Sequence, residues 1–185
     1  FNIEKRYNEV RKRDYKKVID AQKIINKAKQ FAEFIKFNKK KIVVLLRRYE
    51  TYEVAMDEIE RTIYLFENIS ENKEYFKREV GPIVVFMPRN QPLYAFSCFV
   101  IIPSLMAKEV HVKPPVAMDC FFSDLMEFIK IKKNFPNIHI HKKETREKFL
   151  QKMNLKTNNK PVADAVIFTG TSQNAKYLRN LFGRE

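Results

Sequence analysis

Residues 83–92 read IVVFMPRNQP, and this stretch decides how the rest of the chain is interpreted. A continuous apolar run, residues 83–87, follows the turn dipeptide Gly81-Pro82, and two prolines bracket the polar residues behind it. An apolar run of strand length is typical of a strand that is buried on both faces. We therefore predict that residues 83–87 form the first strand of a parallel sheet.

Strand-length runs alternate with helical patterns after this stretch. Further strands are predicted at residues 110–113, 137–141 and 163–168, and helices at residues 93–107, 118–130, 142–153 and 172–181. This alternation indicates an α/β fold with a doubly wound parallel sheet. Ligands of such sheets bind beyond the carboxyl ends of the strands, so the residues that follow each strand are the candidates for a site.

The chain before residue 81 has a different texture, because it contains neither glycine nor proline. Helices are predicted at residues 14–37, 39–49 and 51–69, with Asp14 as the cap of the first. Its apolar stripe begins at Val18 and ends at Ile35. In the third helix the residues predicted to face inward are Val54, Met56, Ile59, Ile63 and Phe66. Residues 1–80 are therefore predicted to form a helical layer, and residues 81–185 the sheet region.

The net charge of +14 is concentrated near the N-terminus, where residues 1–48 carry 16 basic and 5 acidic side chains. A basic patch of this size could follow the phosphates of a nucleic acid. A nucleic-acid platform would also need exposed aromatic residues among the charges, whereas Phe31 and Phe34 fall on the predicted buried stripe. The favoured interpretation is a solvated helix face, with nucleic-acid binding as the alternative.

The two cysteines, Cys98 and Cys120, are too few for a disulfide framework, which favours a reducing, cytoplasmic location. Both lie in apolar helical segments, and we expect them to be buried as small hydrophobic residues. No apolar run reaches the roughly 18 residues of a membrane span, and no signal peptide is recognised, so no membrane association is predicted.

Three histidines, His111, His139 and His141, fall on two predicted strands. The last two share one face of their strand, because they are two residues apart. No acidic or cysteine residue stands at the spacing of a metal ligand beside them, so we predict no metal site.

Three residues at strand ends have a chemical rationale of their own. Gly170 lies between a strand and a helix, where a residue without Cβ lets backbone N–H groups approach a phosphate. Lys113 could reach a phosphate or ribose hydroxyls. Asn90 could donate a hydrogen bond to a developing oxyanion, or could cap its turn. Taken one at a time, each is explained equally well by a structural role.

Taken together and in order, these segments resemble the aldehyde dehydrogenase superfamily. Its pattern is a strand ending in Pro-Trp-Asn-x-Pro, an apolar helix, a strand ending in Lys-Pro and a strand ending in Phe-Thr-Gly-Ser. This chain has PRNQP at 88–92, PSLMA at 103–107, VKP at 112–114 and FTGT at 168–171. Residues 48–51, which lead into Glu53-Val54 and Glu58-Ile59, are similar to the N-terminal region of the family. The resemblance covers roughly residues 20–185.

The resemblance implies a Rossmann-like region at residues 81–185 that binds NAD or NADP. Asn90 matches the asparagine that stabilises the oxyanion, and Lys113 the lysine that holds the adenosine ribose. The turn facing the pyrophosphate corresponds to Gly170 and Thr171. The stretch beside the cofactor corresponds to Met87, Pro88 and Arg89. The partners implied are the dinucleotide, a small aldehyde or acyl substrate, and further copies of the full-length chain in a homo-oligomer.

Some residues depart from the family pattern. Arg89 replaces tryptophan, and Ala175 replaces the second glycine of the cofactor turn. Val116 stands where NAD-preferring members often have a ribose-binding glutamate, which leaves NADP open as the cofactor.

The catalytic cysteine and general-base glutamate of the family lie downstream of the Phe-Thr-Gly strand, and this chain ends one helix after that strand. We therefore expect an incomplete sheet, truncated before the catalytic domain of a longer oxidoreductase. The alternative is a noncatalytic Rossmann-like binding module whose basic helical segment contacts nucleic acid or a protein partner.

Overall fold

A computed structural model describes residues 18–153 and 163–182. Its first layer contains helices α1 (Ala21–Phe37), α2 (Lys39–Leu46) and α3 (Tyr52–Glu67), followed by a 3₁₀ segment over Ile69–Tyr75. The carboxylate of Asp20 accepts hydrogen bonds from the backbone N–H groups of Gln22 (2.9 Å) and Lys23 (3.2 Å), and so caps α1. Residues 18–20 are not helical, so the prediction of a helix over residues 14–37 is wrong at these positions. The predicted cap, Asp14, lies outside the described residues.

The sheet is formed by β1 (Ile83–Phe86), β2 (Val110–Lys113), β3 (Ile138–Ile140) and β4 (Ala165–Phe168). The strand order is β3-β2-β1-β4, and every neighbouring pair is parallel. The predicted α/β fold, with its helical N-terminal layer and parallel sheet, is thereby confirmed.

Helices connect the strands as the alternation predicted. Helix α4, over residues 92–104, follows β1 and consists of Pro92–Phe96, a π-helical turn over Ser97–Ile101, and Ile102–Ser104. It ends three residues before the predicted boundary. The remaining helices are α5 (Asp119–Phe128), α6 (Ile131–Asn134), α7 (Arg146–Met153) and α8 (Ser172–Phe182), and a 3₁₀ turn over Val116–Met118 precedes α5.

Helices cover both faces of β1, which is why all four of its residues are buried. Ile83 and Val85 belong to the larger core, which they share with residues of α1 to α6. Val84 and Phe86 point to the opposite face and belong to a smaller core with residues of α7 and α8. The apolar run that predicted a doubly buried strand thus has its explanation in packing on both sides.

The predicted inward faces of the helices need two corrections. Val18 is 85% exposed, because the chain there precedes α1 instead of forming part of it. Val54, in the first turn of α3, is 38% exposed. The side of α3 that is buried carries Ala55, Glu58, Ile59, Thr62, Ile63 and Phe66. Two polar residues, Glu58 and Thr62, therefore lie in the interior, and the sequence did not predict them there.

Gly81 allows the start of β1 to lie against the residue that precedes β4. Its N–H donates to Oδ2 of Asp164 at 3.0 Å. A Cβ at this position would come within 2.7 Å of the Asp164 carboxyl carbon, well inside van der Waals contact. Only glycine therefore permits this close approach with the carboxylate in place.

Replacing Gly81 should consequently destabilise the junction of β1 and β4. We expect Gly81→Ala to lower the free energy of unfolding by about 1–3 kcal/mol, the usual cost of forcing an extra methyl group into a packed site. Urea denaturation followed by circular dichroism measures this. In an Asp164→Ala background the same Gly81→Ala change should cost less, because the methyl group then finds space. Equal costs in both backgrounds would contradict the explanation.

Candidate functional site

The residues that follow β1, β2 and β4 lie side by side at one edge of the sheet, the edge formed by the carboxyl ends of the strands. In the pairing of β1 with its two neighbours, Phe86 is opposite Lys113 of β2 and opposite Phe168 of β4. Residues 87–90, which follow β1, therefore lie at the same edge as Lys113 and residues 170–171. The structure thus brings the strand-end segments that contain all seven predicted site residues to one edge of the sheet.

This edge contains the point where the strand order reverses. From β1 the chain proceeds outward to β2 and then β3, and it returns to the other side of β1 to form β4. In open parallel sheets such a reversal opens a crevice beyond the strand ends, and ligands bind in it. Asn90 follows β1 and Gly170 follows β4, so the two residues flank the crevice.

Met87 and Lys113 are the buried members of the predicted site. The Met87 N–H donates to the Lys113 carbonyl at 3.1 Å and extends the pairing of β1 with β2 by one bond. The Lys113 side chain is only 6% exposed, and its Nζ donates to the Pro114 carbonyl at 3.1 Å. Among the described residues no carboxylate forms an ion pair with it. A buried ammonium group with one carbonyl partner has hydrogens left for the oxygens of a ligand.

Arg89 and Asn90 are exposed. Within the part of the chain that the structure describes, the Asn90 carboxamide makes no hydrogen bond, so it does not cap the turn that contains it. Gln91, the next residue, adopts a left-handed conformation with φ 48° and ψ 59°. This turn places Pro92 at the first position of α4, where the missing N–H of proline costs nothing.

Gly170 and Thr171 form the turn from β4 into α8. The Thr171 side-chain oxygen accepts from the Asn174 N–H at 3.4 Å, and its carbonyl accepts from the Ala175 N–H at 3.0 Å. A Cβ at residue 170 would lie 2.9 Å from Cε1 of the Phe168 ring. Gly170 therefore has a packing reason to be glycine, in addition to the predicted approach of its backbone to a phosphate.

Glu58 is a buried residue beside this edge that the sequence analysis did not select. Its Oε1 accepts from the Tyr94 N–H at 3.0 Å and from the Leu93 N–H, and so caps the start of α4. Burial raises the pKa of Glu58 to about 9, and a hydrogen bond to Glu50 together with repulsion from it adds to the rise. The Glu58 carboxyl group is therefore protonated near neutral pH. The sequence contains one sign that Glu58 is buried: this glutamate lies in an apolar helical stripe, directly before Ile59 and three residues after Ala55.

The surroundings of Cys98 do not activate its thiol. Cys98 is partly buried in the π-helical turn of α4, and burial raises the pKa of its thiol. A raised pKa is the opposite of what activates a thiol. The expectation that both cysteines are buried is wrong for Cys120, which is exposed because it lies on the outer side of α5.

The histidines form a hydrogen-bonded cluster beneath α7. Nδ1 of His111 lies 3.1 Å from Nε2 of His141, and Nε2 of His111 lies 3.1 Å from a Glu109 carboxylate oxygen. The rings of His111 and His139 are stacked with centroids 5.1 Å apart. Burial lowers the pKa of both His111 and His141. Across residues 18–153 and 163–182, no three histidine, cysteine or acidic side chains are arranged to hold a metal ion.

Acidic residues of α3 and α5 neutralise part of the basic charge of the helical layer. Lys36 pairs with Glu67 and Lys39 pairs with Glu60, so α3 faces the lysines of α1 and α2 with carboxylates. Arg48 pairs with Asp124 at 2.6 Å.

Among the described helices, none combines the length and the apolar character that crossing a membrane requires.

The raised pKa of Glu58 should make stability depend on pH. Because folding raises the pKa of Glu58 from an ordinary value near 4.5 to about 9, its contribution to stability is present at low pH and is lost progressively as the pH rises through that window. We expect the free energy of unfolding of Glu58→Gln, compared with that of the wild type, to rise between pH 5 and pH 8, because the amide does not titrate. Chemical denaturation at the two pH values measures the difference.

Two further variants complete this experiment. Glu50→Gln should reduce the pH dependence of stability, because it removes a negative charge that helps to raise the pKa of Glu58. Glu127→Gln, an exposed site on α5, controls for the loss of one negative charge. Stability differences for Glu58→Gln that do not change with pH would show that folding does not raise the pKa of Glu58.

No family model matches the chain, and no curated protein is similar to it in sequence. Several solved structures match it closely in three dimensions. Proline utilization A from Bradyrhizobium japonicum has a TM-score of 0.73 at 16% identity, covering 90% of this chain and 19% of its own. A NAD-dependent benzaldehyde dehydrogenase from Corynebacterium glutamicum has a TM-score of 0.66 at 17% identity, covering 87% and 38%.

A third match is betaine aldehyde dehydrogenase from Staphylococcus aureus, solved in complex with NAD⁺. Its TM-score is 0.71 at 17% identity, and the match covers 88% of this chain and 36% of the dehydrogenase. The chain thus spans between about a fifth and two fifths of the structures that it matches. The resemblance inferred from the strand-end motifs is confirmed at the level of the fold: the chain has the fold of the N-terminal half of the aldehyde dehydrogenases.

Proposed function

We propose that this chain is the NAD(P)-binding portion of an oxidoreductase that acts on an aldehyde or an activated acyl group. The observation that carries the proposal is the alignment of three strand ends at the point where the strand order reverses. The reacting cysteine and its general base would come from a further domain outside this sequence. Residues 81–185 would then be the dinucleotide-binding region, and residues 1–80 the helical region that packs on it.

The residues at this edge fit a dinucleotide in their chemistry. Lys113 has ammonium hydrogens that the described protein groups do not use, and these suit ribose hydroxyls or a phosphate. The turn at Gly170 and Thr171 leads into α8, whose N-terminal N–H groups and helix dipole favour a phosphate. Arg89 adds an exposed cation beside the same edge. When bound, the nicotinamide would accept or donate the hydride.

Asn90 would act on the substrate rather than on the cofactor. When a thiolate attacks the carbonyl carbon, negative charge develops on the carbonyl oxygen, and a carboxamide N–H that points at this oxygen stabilises the charge. Asn90 is suited to the role because its carboxamide is exposed and not engaged by other described residues. An acyl-thioester reductase would use the same contact in the reverse direction.

The identity of the preferred dinucleotide depends on the region after β2. Val116 is 69% exposed and lies three residues beyond Lys113. An apolar residue there presents no negative charge to a 2′-phosphate, which supports NADP(H). Homologous folds include one solved with NAD⁺, so both cofactors belong in the test. Titrations with NADH and NADPH would decide, and a clear preference for NADH would overturn the NADP(H) proposal.

Removing the Lys113 charge should weaken dinucleotide binding. We expect Lys113→Met to lower the affinity for NADH or NADPH by about tenfold, the effect of losing roughly one hydrogen bond to a charged group. Methionine retains the apolar stem of the buried side chain. Binding is followed by nucleotide fluorescence. Lys108→Met is the matched control. Lys108 is exposed and lies two residues before the start of β2, at the opposite edge of the sheet, so this substitution should not change the affinity. Equal affinities for both variants and the wild type would contradict the assigned role.

Loss of the Asn90 carboxamide should affect the chemical step in the protein encoded by the complete open reading frame. We expect Asn90→Ala to lower kcat by about 10²–10³-fold with little change in KM, as for other oxyanion donors. The probes are hexanal with NAD⁺ or NADP⁺, and hexanoyl-CoA with NADH or NADPH. A wild-type protein without dinucleotide affinity and without activity on either probe would contradict the proposed function and favour the noncatalytic binding module.

A further inference from the structure

One face of α3 contacts the segment that carries Asn90. We call residues 88–91 the Asn90 loop. The loop begins where the Met87 N–H donates to the Lys113 carbonyl at 3.1 Å, and it ends at Pro92, the first residue of α4. Because the Asn90 carboxamide has no hydrogen bond of its own among the described residues, its position depends on how the backbone of the loop is held.

Glu58 anchors the start of α4, which directly follows the loop. Its Oε1 accepts from two consecutive backbone N–H groups, those of Leu93 and Tyr94, in the first turn of α4. Glu58 is completely buried, so this carboxyl group has no competing contact with water. A buried acceptor for the free N–H groups of a helix start fixes where that helix begins. The last residue of the loop is therefore anchored to α3.

Arg61, one turn further along α3, contacts the last residue of the loop. Its Nη1 donates to the side-chain Oε1 of Gln91 at 3.1 Å. Its guanidinium group lies 4.1 Å from the centroid of the Tyr94 ring, and Asp57 pairs with it at 3.6 Å. Arg61 thus contacts residues on both sides of Pro92. Glu58 and Arg61 are three residues apart, and so they lie on the same side of the helix.

The residue that Arg61 contacts has an unusual backbone conformation. Gln91 has a φ of 48°, in the left-handed region that costs a residue with a side chain about 1–2 kcal/mol. A conformation of this kind persists only where the surroundings favour it. The described contacts that do so are the hydrogen bond from Arg61, the anchored start of α4, and the hydrogen bond from the Ala95 N–H to the Gln91 carbonyl at 2.9 Å. Releasing the contacts from α3 would loosen the conformation of residue 91, and Asn90 would turn with it.

We propose that Glu58 and Arg61 are positioning residues, which hold the Asn90 loop from α3 and so fix the direction of the Asn90 carboxamide. The proposal rests on the proposed function, because the direction matters only if Asn90 stabilises an oxyanion. Neither residue would touch the substrate or the cofactor. Their effect on the reaction would be transmitted entirely through Asn90, and this property separates positioning from general stabilisation.

A double-mutant cycle in the protein from the complete open reading frame tests this property, with hexanal and hexanoyl-CoA as probes. We expect Arg61→Ala to lower kcat by about tenfold, since a displacement of about 1 Å in a catalytic group is enough for such a loss. The KM for the dinucleotide should stay the same. In an Asn90→Ala background the Arg61→Ala change should have almost no further effect on kcat. Arg47→Ala, an exposed site directly after α2, is the matched control.

Glu58 offers a second comparison within one residue. Glu58→Gln keeps an oxygen that can accept from the two N–H groups of α4, and should retain most of kcat. Glu58→Ala removes the acceptor and should lower kcat at least as much as Arg61→Ala. Hydrogen exchange measured by mass spectrometry on peptides covering residues 88–96 gives a readout without substrate. Exchange should accelerate in Arg61→Ala and Glu58→Ala, and stay at the wild-type rate in Glu58→Gln and Arg47→Ala.

The outcomes separate the two proposals. An Asn90→Ala variant as active as the wild type would contradict the proposed function. An Asn90→Ala variant with low kcat, combined with an Arg61→Ala effect of equal size in both backgrounds, would contradict only the positioning role. Unchanged exchange of residues 88–96 in Arg61→Ala and Glu58→Ala would also overturn positioning, because the loop would then be held without α3.

Discussion

The register between β1 and its two neighbours is the constraint on which the candidate site depends. It sets Phe86 level with Lys113 on one side and with Phe168 on the other. Everything that follows these strands is therefore delivered to one edge, although the segments are far apart in sequence. A shift of β1 by one residue would exchange its two faces, and would place Val84 and Phe86 in the larger core. The packing of two different cores against one strand forbids that shift.

The sequence predicted the fold well where one physical requirement dominated. Burial on both faces dictated the apolar run of β1, and alternation with helices dictated a parallel sheet, so both were correctly predicted. The ordered strand-end motifs further indicated the fold of the aldehyde dehydrogenases. The boundary of α1 was missed because two aspartates, Asp14 and Asp20, are equally good caps in a sequence. In the structure Asp20 accepts the hydrogen bonds at the start of α1.

The candidate site was predicted in part, for a similar reason. Residues at strand ends can be selected from the sequence, because topology dictates where strand ends meet. Lys113 was selected in this way, but its burial could not be foreseen, because it depends on the tertiary packing around the end of β2. Glu58 and Arg61 were missed as contributors to the site, since they act from a helix some thirty residues before the loop that they contact. Helical periodicity identifies a buried glutamate as unusual without naming its partner.

The division of the interior into two unequal cores has a consequence for the order in which the molecule opens. Among the described residues, the smaller core holds α7 and α8 against the sheet with far fewer buried side chains than the larger core contains. Segments with little buried apolar surface unfold locally at a lower free energy than the rest of a protein. The α7–β4–α8 unit is therefore the expected first foldon to detach. A dinucleotide bound at Gly170 and Thr171 would bridge this unit to β1, and in doing so would couple cofactor occupancy to the integrity of the fold.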